Sequence, residues 1–146
     1  MDNLLKNIHT VEDLDLIIHN LTILQSHIFQ NKVVNLDLID NFLTKENALE
    51  FAKDLENSKI NVQDPDELSL FISKIIERLF NMPRVSIIFA FVPTRSLLKK
   101  VMEQVDGNGR FVFDYTIDTG IYGGILILKD GIVHDYSIQK IVSGFF

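Results

Sequence analysis

Chemistry in this chain could come from four histidines, two glycine-containing runs and an acidic triplet. His19 and His27 fall two turns apart on the polar face of one predicted helix, too far for shared metal ligation, and His134 alternates with Val133 and Asp135 on a predicted strand. No histidine, His9 included, has a serine or carboxylate at a spacing that suggests a triad. Asp106 to Asp114 resembles the opening of a calcium loop, but Phe111 and Ile117 stand where such a loop needs its glycine and its bidentate glutamate. A glycine C-cap and turn is expected there instead. Gly120, Gly123 and Gly124 form a glycine-rich run, yet no lysine or threonine follows and the segment leads into a strand rather than a helix. A phosphate cradle needs backbone N–H groups at a helix N-terminus. A bend where backbones approach closely is the expectation. Glu12, Asp13 and Asp15 lie in the first turns of a helix, where carboxylates oppose the positive end of its dipole. Asn20-Leu21-Thr22 matches a glycosylation acceptor by accident, and Lys99-Lys100 is a solvated pair. No catalytic residue, metal or cofactor is expected.

The elements that carry these residues differ between the two parts of the chain. Residues 1–80 hold 14 acidic and 7 basic side chains, whereas 81–146 hold 6 and 7. All 7 glycines fall in the second part. Helices suit the first; strands and tight turns suit the second. The boundary is expected near Asn81-Met82-Pro83, giving domains 1–82 and 83–146.

Thr10 is positioned to cap a helix to about Gln30, with Val11, Leu14, Ile17, Ile18, Leu21, Leu24, Ile28 and Phe29 on one arc. Glu12, His19 and His27 lie opposite, and Ile23 falls outside the arc. Asn35 opens a short turn from Leu36 to Leu43, and Thr44 starts a helix with the stripe Ala48, Phe51, Ala52, Leu55. Asp64-Pro65-Asp66-Glu67 begins a helix to about Asn81 that buries Leu68, Phe71, Ile72, Ile75, Ile76 and Leu79. Together these make a small bundle. Val85 to Val92, a short and nearly all-apolar run, then reads as a buried strand. Thr94 caps a helix with Leu97, Leu98, Val101, Met102 and Val105 inward, and Arg110–Ile117, Gly124–Lys129 and Ile132–Asp135 are strands. Asp130-Gly131 makes a two-residue hairpin turn, and Ser137 begins a short C-terminal helix. The fold class is α+β: a small helical bundle followed by a β-α-β-β-β-α domain.

Composition narrows the classes further. The chain has 146 residues, 47% hydrophobic and 23% charged, with a mean hydropathy of +0.17, which excludes wholesale disorder. Absent cysteine excludes disulfide scaffolds, cysteine-ligated metal and thiol catalysis. A net charge of −6 and a pI of about 5.1 argue against nucleic-acid binding through a global positive field. No apolar run approaches a membrane span and Met1-Asp2-Asn3 opens no signal peptide, so a cytoplasmic protein is expected.

The segment from Ile117 to Ile138 resembles one family. Ile117-Asp118, a short turn, Gly123-Gly124 leading into Ile125 to Ile127, a two-residue turn, and Val133-His134-Asp135-Tyr136-Ser137-Ile138 are similar, without gaps, to the C-terminal signature of the F-type ATP synthase delta subunit, the oligomycin-sensitivity-conferring protein of mitochondria. The order strand, Pro93-led turn, helix before it also follows that family. By this resemblance Asp118 takes the acidic place before the turn and Gly123 and Gly124 the paired-glycine place. Asp135 and Ser137 take the Asp-x-Ser place that fixes the start of the last helix. Thr119 stands where the family has proline, Leu128 where it often has arginine, and the basic tail is reduced to Lys140. The family's N-terminal domain is a six-helix bundle, longer than this one.

The resemblance implies a non-catalytic peripheral-stalk subunit of a rotary ATPase, peripheral to the membrane through its complex. It would hold the b subunits with its second half and the N-terminal segments of the alpha subunits with its first. Ile23 is the candidate contact in the first half. The alternative from the residues is a small α+β ligand-binding or regulatory module with Gly120–Gly124 lining a site.

Overall fold

A computed structural model describes residues 2–31, 37–106, 111–121, 123–129 and 131–135. It is an α+β protein whose chain divides into two compact units, Met1–Met82 and Pro83–Phe146.

The first unit is helical: α1 (Asp2–Leu5), α2 (Val11–Asn31), α3 (Asp37–Phe42), α4 (Lys45–Ser58) and α5 (Pro65–Phe80). Local capping chemistry sets the helix starts. The Thr10 hydroxyl accepts from the Asp13 N–H at 3.2 Å, and the Asp13 carboxylate accepts from the Thr10 N–H at 3.1 Å. This reciprocal pair satisfies two of the donors a helix start leaves open. Thr44 accepts from the Asn47 N–H and Asp64 from the Asp66 N–H, with Pro65 opening α5. Glu67 does not complete a box with Asp64. It accepts from the Asn61 N–H at 2.7 Å, tying the preceding loop to α5.

Leu14, Ile17, Leu21, Leu24 and Ile28 of α2 are buried, as are Leu68, Phe71, Ile72, Ile75 and Leu79 of α5. The two helices pack together, and the Phe51 and Phe71 rings, centroids 6.0 Å apart, join α4 to α5. Three expectations about helix faces are corrected. Phe29 is 74% exposed, because it stands one residue round from Ile28 on the flank, beyond the stripe that meets α5. His27, expected on the polar face, is half-buried, its ring 5.7 Å from that of Phe42. Ala52 is exposed, and Asp54 takes the inward place on α4 because the start of α1 lies against that helix. Asn35 and Leu36, expected to open α3, lie outside the described residues.

The second unit is a four-stranded mixed sheet with one described helix. Its elements are β1 (Arg84–Phe89), α6 (Arg95–Asp106), β2 (Val112–Ile117), β3 (Ile125–Lys129) and β4 (Ile132–Asp135). Strand order is β2-β1-β3-β4. β1 and β2 are parallel, with Arg84 opposite Val112 and Phe89 opposite Ile117; the helical crossover through α6 permits this. β3 runs antiparallel to β1, Phe89 opposite Ile125, and β4 antiparallel to β3, Lys129 opposite Ile132. With Lys129 opposite Ile132, β3 and β4 form the hairpin the sequence predicts, and Gly131 has φ 75°; Asp130 lies outside the described residues.

β1 is shorter than its apolar run and alternates: Val85, Ile87 and Phe89 are fully buried, Ser86 is exposed and Ile88 half-buried. The run breaks after Phe89, leaving Phe91 and Val92 exposed. An all-apolar run does not by itself say which face is covered; among the described residues the packed face is the one that carries Val85, Ile87 and Phe89. Val101 and, partly, Leu97, Leu98, Met102 and Val105 of α6 lie on Val85, Ile87, Phe89, Phe113 and Ile127. The Thr94 hydroxyl accepts from the Leu97 N–H at 3.2 Å, capping α6. The helix expected from Ser137 lies outside the described residues. Among the described residues no helix is long and apolar enough to cross a membrane.

Candidate functional site

Strand direction brings the motif residues of the second unit together. β1, β2 and β4 all point their C-terminal ends the same way, and β3 begins at that end. Asp118 follows β2, Gly123 and Gly124 precede β3, and Asp135 closes β4 opposite Leu126. Four of the five residues marked by the resemblance therefore gather at one end of the sheet. Ser137, the fifth, lies outside the described residues.

The end of β1 is held between two of them. The Asp118 N–H donates to Phe89 O at 2.8 Å, and the Ala90 N–H donates to Gly124 O at 3.1 Å. Gly123 and Gly124 have φ of 64° and 80°, a conformation that costs a residue with a Cβ roughly 1–2 kcal/mol. The paired glycines let the chain turn into β3 while the Gly124 carbonyl still reaches β1. Three of the loop's donors are turned inward. The Gly120 N–H donates to the Asp118 carboxylate at 2.8 Å, the Ile121 N–H to Asp118 O at 3.4 Å and the Gly123 N–H to Ile121 O at 2.9 Å. These three amides are used within the turn and form no phosphate cradle.

Apolar side chains flank this loop. Phe91 is 42% exposed, Val92 76% and Ile117 45%. Phe91 stands edge-on to Phe89, ring centroids 6.1 Å apart, so the patch continues the buried core to the surface. A cluster of this kind suits protein contact better than it suits solvent.

In the first unit, Ile23 is 39% exposed on α2, away from the buried stripe, and Leu16, one heptad earlier, is 53% exposed. A groove of about 550 Å³ lies elsewhere in that unit, floored by Ile39, Ala48, Leu55 and Ile60 and bordered by Asp40 and Glu56.

Sequence reasoning passed over two polar residues that hold the first unit together. Asp54 is buried, and its carboxylate accepts from the Asn3 and Leu4 N–H groups at 3.1 and 2.9 Å. Burial opposes its ionisation, but hydrogen bonds to the charged form, that from Leu4 foremost, outweigh this and hold its pKa below the ordinary value of 3.8. Gln25 of α2 donates through Nε2 to Ser69 O at 2.9 Å and to the hydroxyls of Ser69 and Ser73 on α5. A glutamine beside the apolar stripe of α2 was the one available signal for the second; nothing local marked the first.

Among the described residues no three histidine or acidic side chains gather where they could hold a metal ion. No family model matches the chain, and no curated protein matches it either.

Proposed function

We propose that this chain is a non-catalytic, protein-binding adaptor, in the specific form of the stator subunit that its C-terminal segment resembles. The observation that carries the reading is the gathering of Asp118, Gly123, Gly124 and Asp135 at one sheet end, beside exposed Phe91, Val92 and Ile117.

The mechanism is mechanical. A rotating shaft applies torque to a catalytic head, and a stalk must hold the head still for that torque to drive chemistry. An adaptor at the join needs two separate contact surfaces. In this reading the sheet end of the second unit receives the b subunits, and α2 of the first unit, through Ile23 and Leu16, receives the N-terminal segments of the alpha subunits by helix-on-helix contact. The acidic balance of residues 1–80, 14 acidic against 7 basic, favours a basic partner segment. The protein is then peripheral to the membrane through its complex.

Titrating the purified chain with an alpha N-terminal peptide and with a soluble b-subunit segment tests this. Both are expected to bind, and Ile23→Asp should weaken the peptide at least tenfold while leaving the melting temperature unchanged. Binding of neither would overturn the stator reading. A melting temperature lowered by Ile23→Asp would make that side chain part of the core.

The 550 Å³ groove supports a second reading, a small ligand-binding or regulatory module, since its size falls in the range of small-molecule sites. Such a ligand fits the helical unit better than Gly120–Gly124, where the Gly120, Ile121 and Gly123 amides are engaged within the loop. Equilibrium dialysis against nucleotides and common metabolites separates the two readings, because a stalk subunit binds none of them tightly.

A further inference from the structure

Between α6 and β3, on the packed face of the sheet, lies a trough. Val101 and Val105, one helical turn apart on α6, form one wall, and Ile125 and Ile127 of β3 form the floor. Its volume is about 420 Å³, within the range of small-molecule sites, and it follows β3 for roughly 14 Å. The nitrogen-bearing side chains gather toward one end. Lys129 closes that end: its Nζ donates to Val105 O at 3.2 Å and stands 4.3 Å from the centroid of the Phe111 ring. Ile132 lies opposite Lys129 and His134 opposite Ile127, so Lys129 and His134 are diagonal neighbours on one face, and both line the trough. Diagonal neighbours stand about 7–8 Å apart, within reach of long side chains.

Lys129 carries a charge without a counter-charge. Its side chain is half-buried, it donates to a neutral carbonyl, and among the described residues no carboxylate pairs with it. A half-buried ammonium gives up hydration that one carbonyl and a ring face restore only in part. Among the described residues no carboxylate lines the trough either, although the chain as a whole carries a net charge of −6. The contacts with Val105 and Phe111 hold the ammonium at the end of the trough and leave its other N–H groups for a ligand, and the His134 imidazole can supply a further donor. We propose that the trough binds a small amphiphilic anion, an aliphatic carboxylate whose head group sits between Lys129 and His134 and whose chain lies along Ile127, Ile125 and Val101. A long, narrow trough walled by aliphatic side chains favours an extended chain over a compact ring. The inference belongs to the sheet unit and goes beyond both functional readings: it needs neither the stator role nor the groove of the helical unit.

Titration of the full chain with octanoate, followed by methyl NMR, tests this, with octan-1-ol and octylammonium as probes that share its apolar body. Octanoate is expected to shift the methyl signals of Val101, Val105, Ile125 and Ile127 saturably, and to bind at least tenfold more tightly than either other probe. Lys129→Met keeps the apolar stem and removes the charge, so it should weaken octanoate at least tenfold and leave octan-1-ol unchanged. Because Lys129 also touches Val105 and Phe111, an exposed position supplies the second variant. Gln104→Glu, on the rim of the trough, places a like charge near the head group and should weaken octanoate several-fold with an unchanged melting temperature. Equal binding of the three probes would mean that charge plays no part. Shifts confined to Ile39, Leu55 and Ile60 would place the ligand in the helical unit, and no shift at all would mean that the trough takes no such ligand. Each of these results overturns the proposal, as does an octanoate affinity that neither variant moves.

Discussion

Replacing Asp54 by asparagine removes the charge that organises the start of α1 while keeping the side chain's size. The Asn3 and Leu4 amides then lose a charged acceptor in a buried place, a change that costs about 1–3 kcal/mol at neutral pH. The pH dependence has a fixed sign. A carboxyl whose folded pKa lies below its unfolded value stabilises the fold at any pH above the unfolded value, near 3.8, and loses that contribution as pH falls through the folded value. The gap in unfolding free energy between the native chain and Asp54→Asn, followed by urea denaturation, should be constant above about pH 5 and narrow below 3.8. A gap independent of pH down to 2 would mean that the charge contributes nothing. At the other unit, Gly124→Ala is expected to cost roughly 1–2 kcal/mol through its φ of 80°. Exchange of the Ala90 amide, which donates to Gly124 O, should quicken with it. An unchanged Ala90 protection factor would count against this junction as the anchor of β3.

At the scale of elements, Thr94 illustrates what the sequence makes legible. A hydroxyl after a proline, followed by an apolar stripe, predicts a helix start from a few adjacent residues, and the Leu97 N–H donates to Thr94 as that predicts. Thr94→Ala should cost about 1 kcal/mol, seen as a lower urea midpoint for loss of sheet structure with unchanged steepness. Thr10, Thr44 and Pro65 were legible for the same reason, as were β2, β3, β4 and the Gly131 turn. What the sequence did not reveal depends on partners far along the chain. Asp54 meets residues 50 and 51 positions away, and Gln25 meets Ser69 and Ser73, 44 and 48 away. The exposure of Phe29 and Ala52 depends on where a neighbouring helix ends its contact, which no wheel contains. The same holds for the sheet end. The sequence marks Asp118, Gly123, Gly124 and Asp135, but their convergence follows from the order β2-β1-β3-β4, and exposed Phe91 and Val92 belong to an apolar run whose pattern predicts a buried strand.

The whole molecule combines a helical unit and a mixed-sheet unit, each with its own buried core. Two units with separate exposed apolar features, Ile23 and Leu16 in one and Phe91, Val92 and Ile117 in the other, suit a protein that joins two partners. The most direct test of that claim is to tag the chain, purify it from mildly solubilised native membranes and identify by mass spectrometry what accompanies it. Recovery of alpha, beta and b subunits near the stoichiometry of the rotary complex is the predicted result. Recovery without them, while they assemble elsewhere, would contradict the stator role and leave the glycine hairpin as a chance likeness.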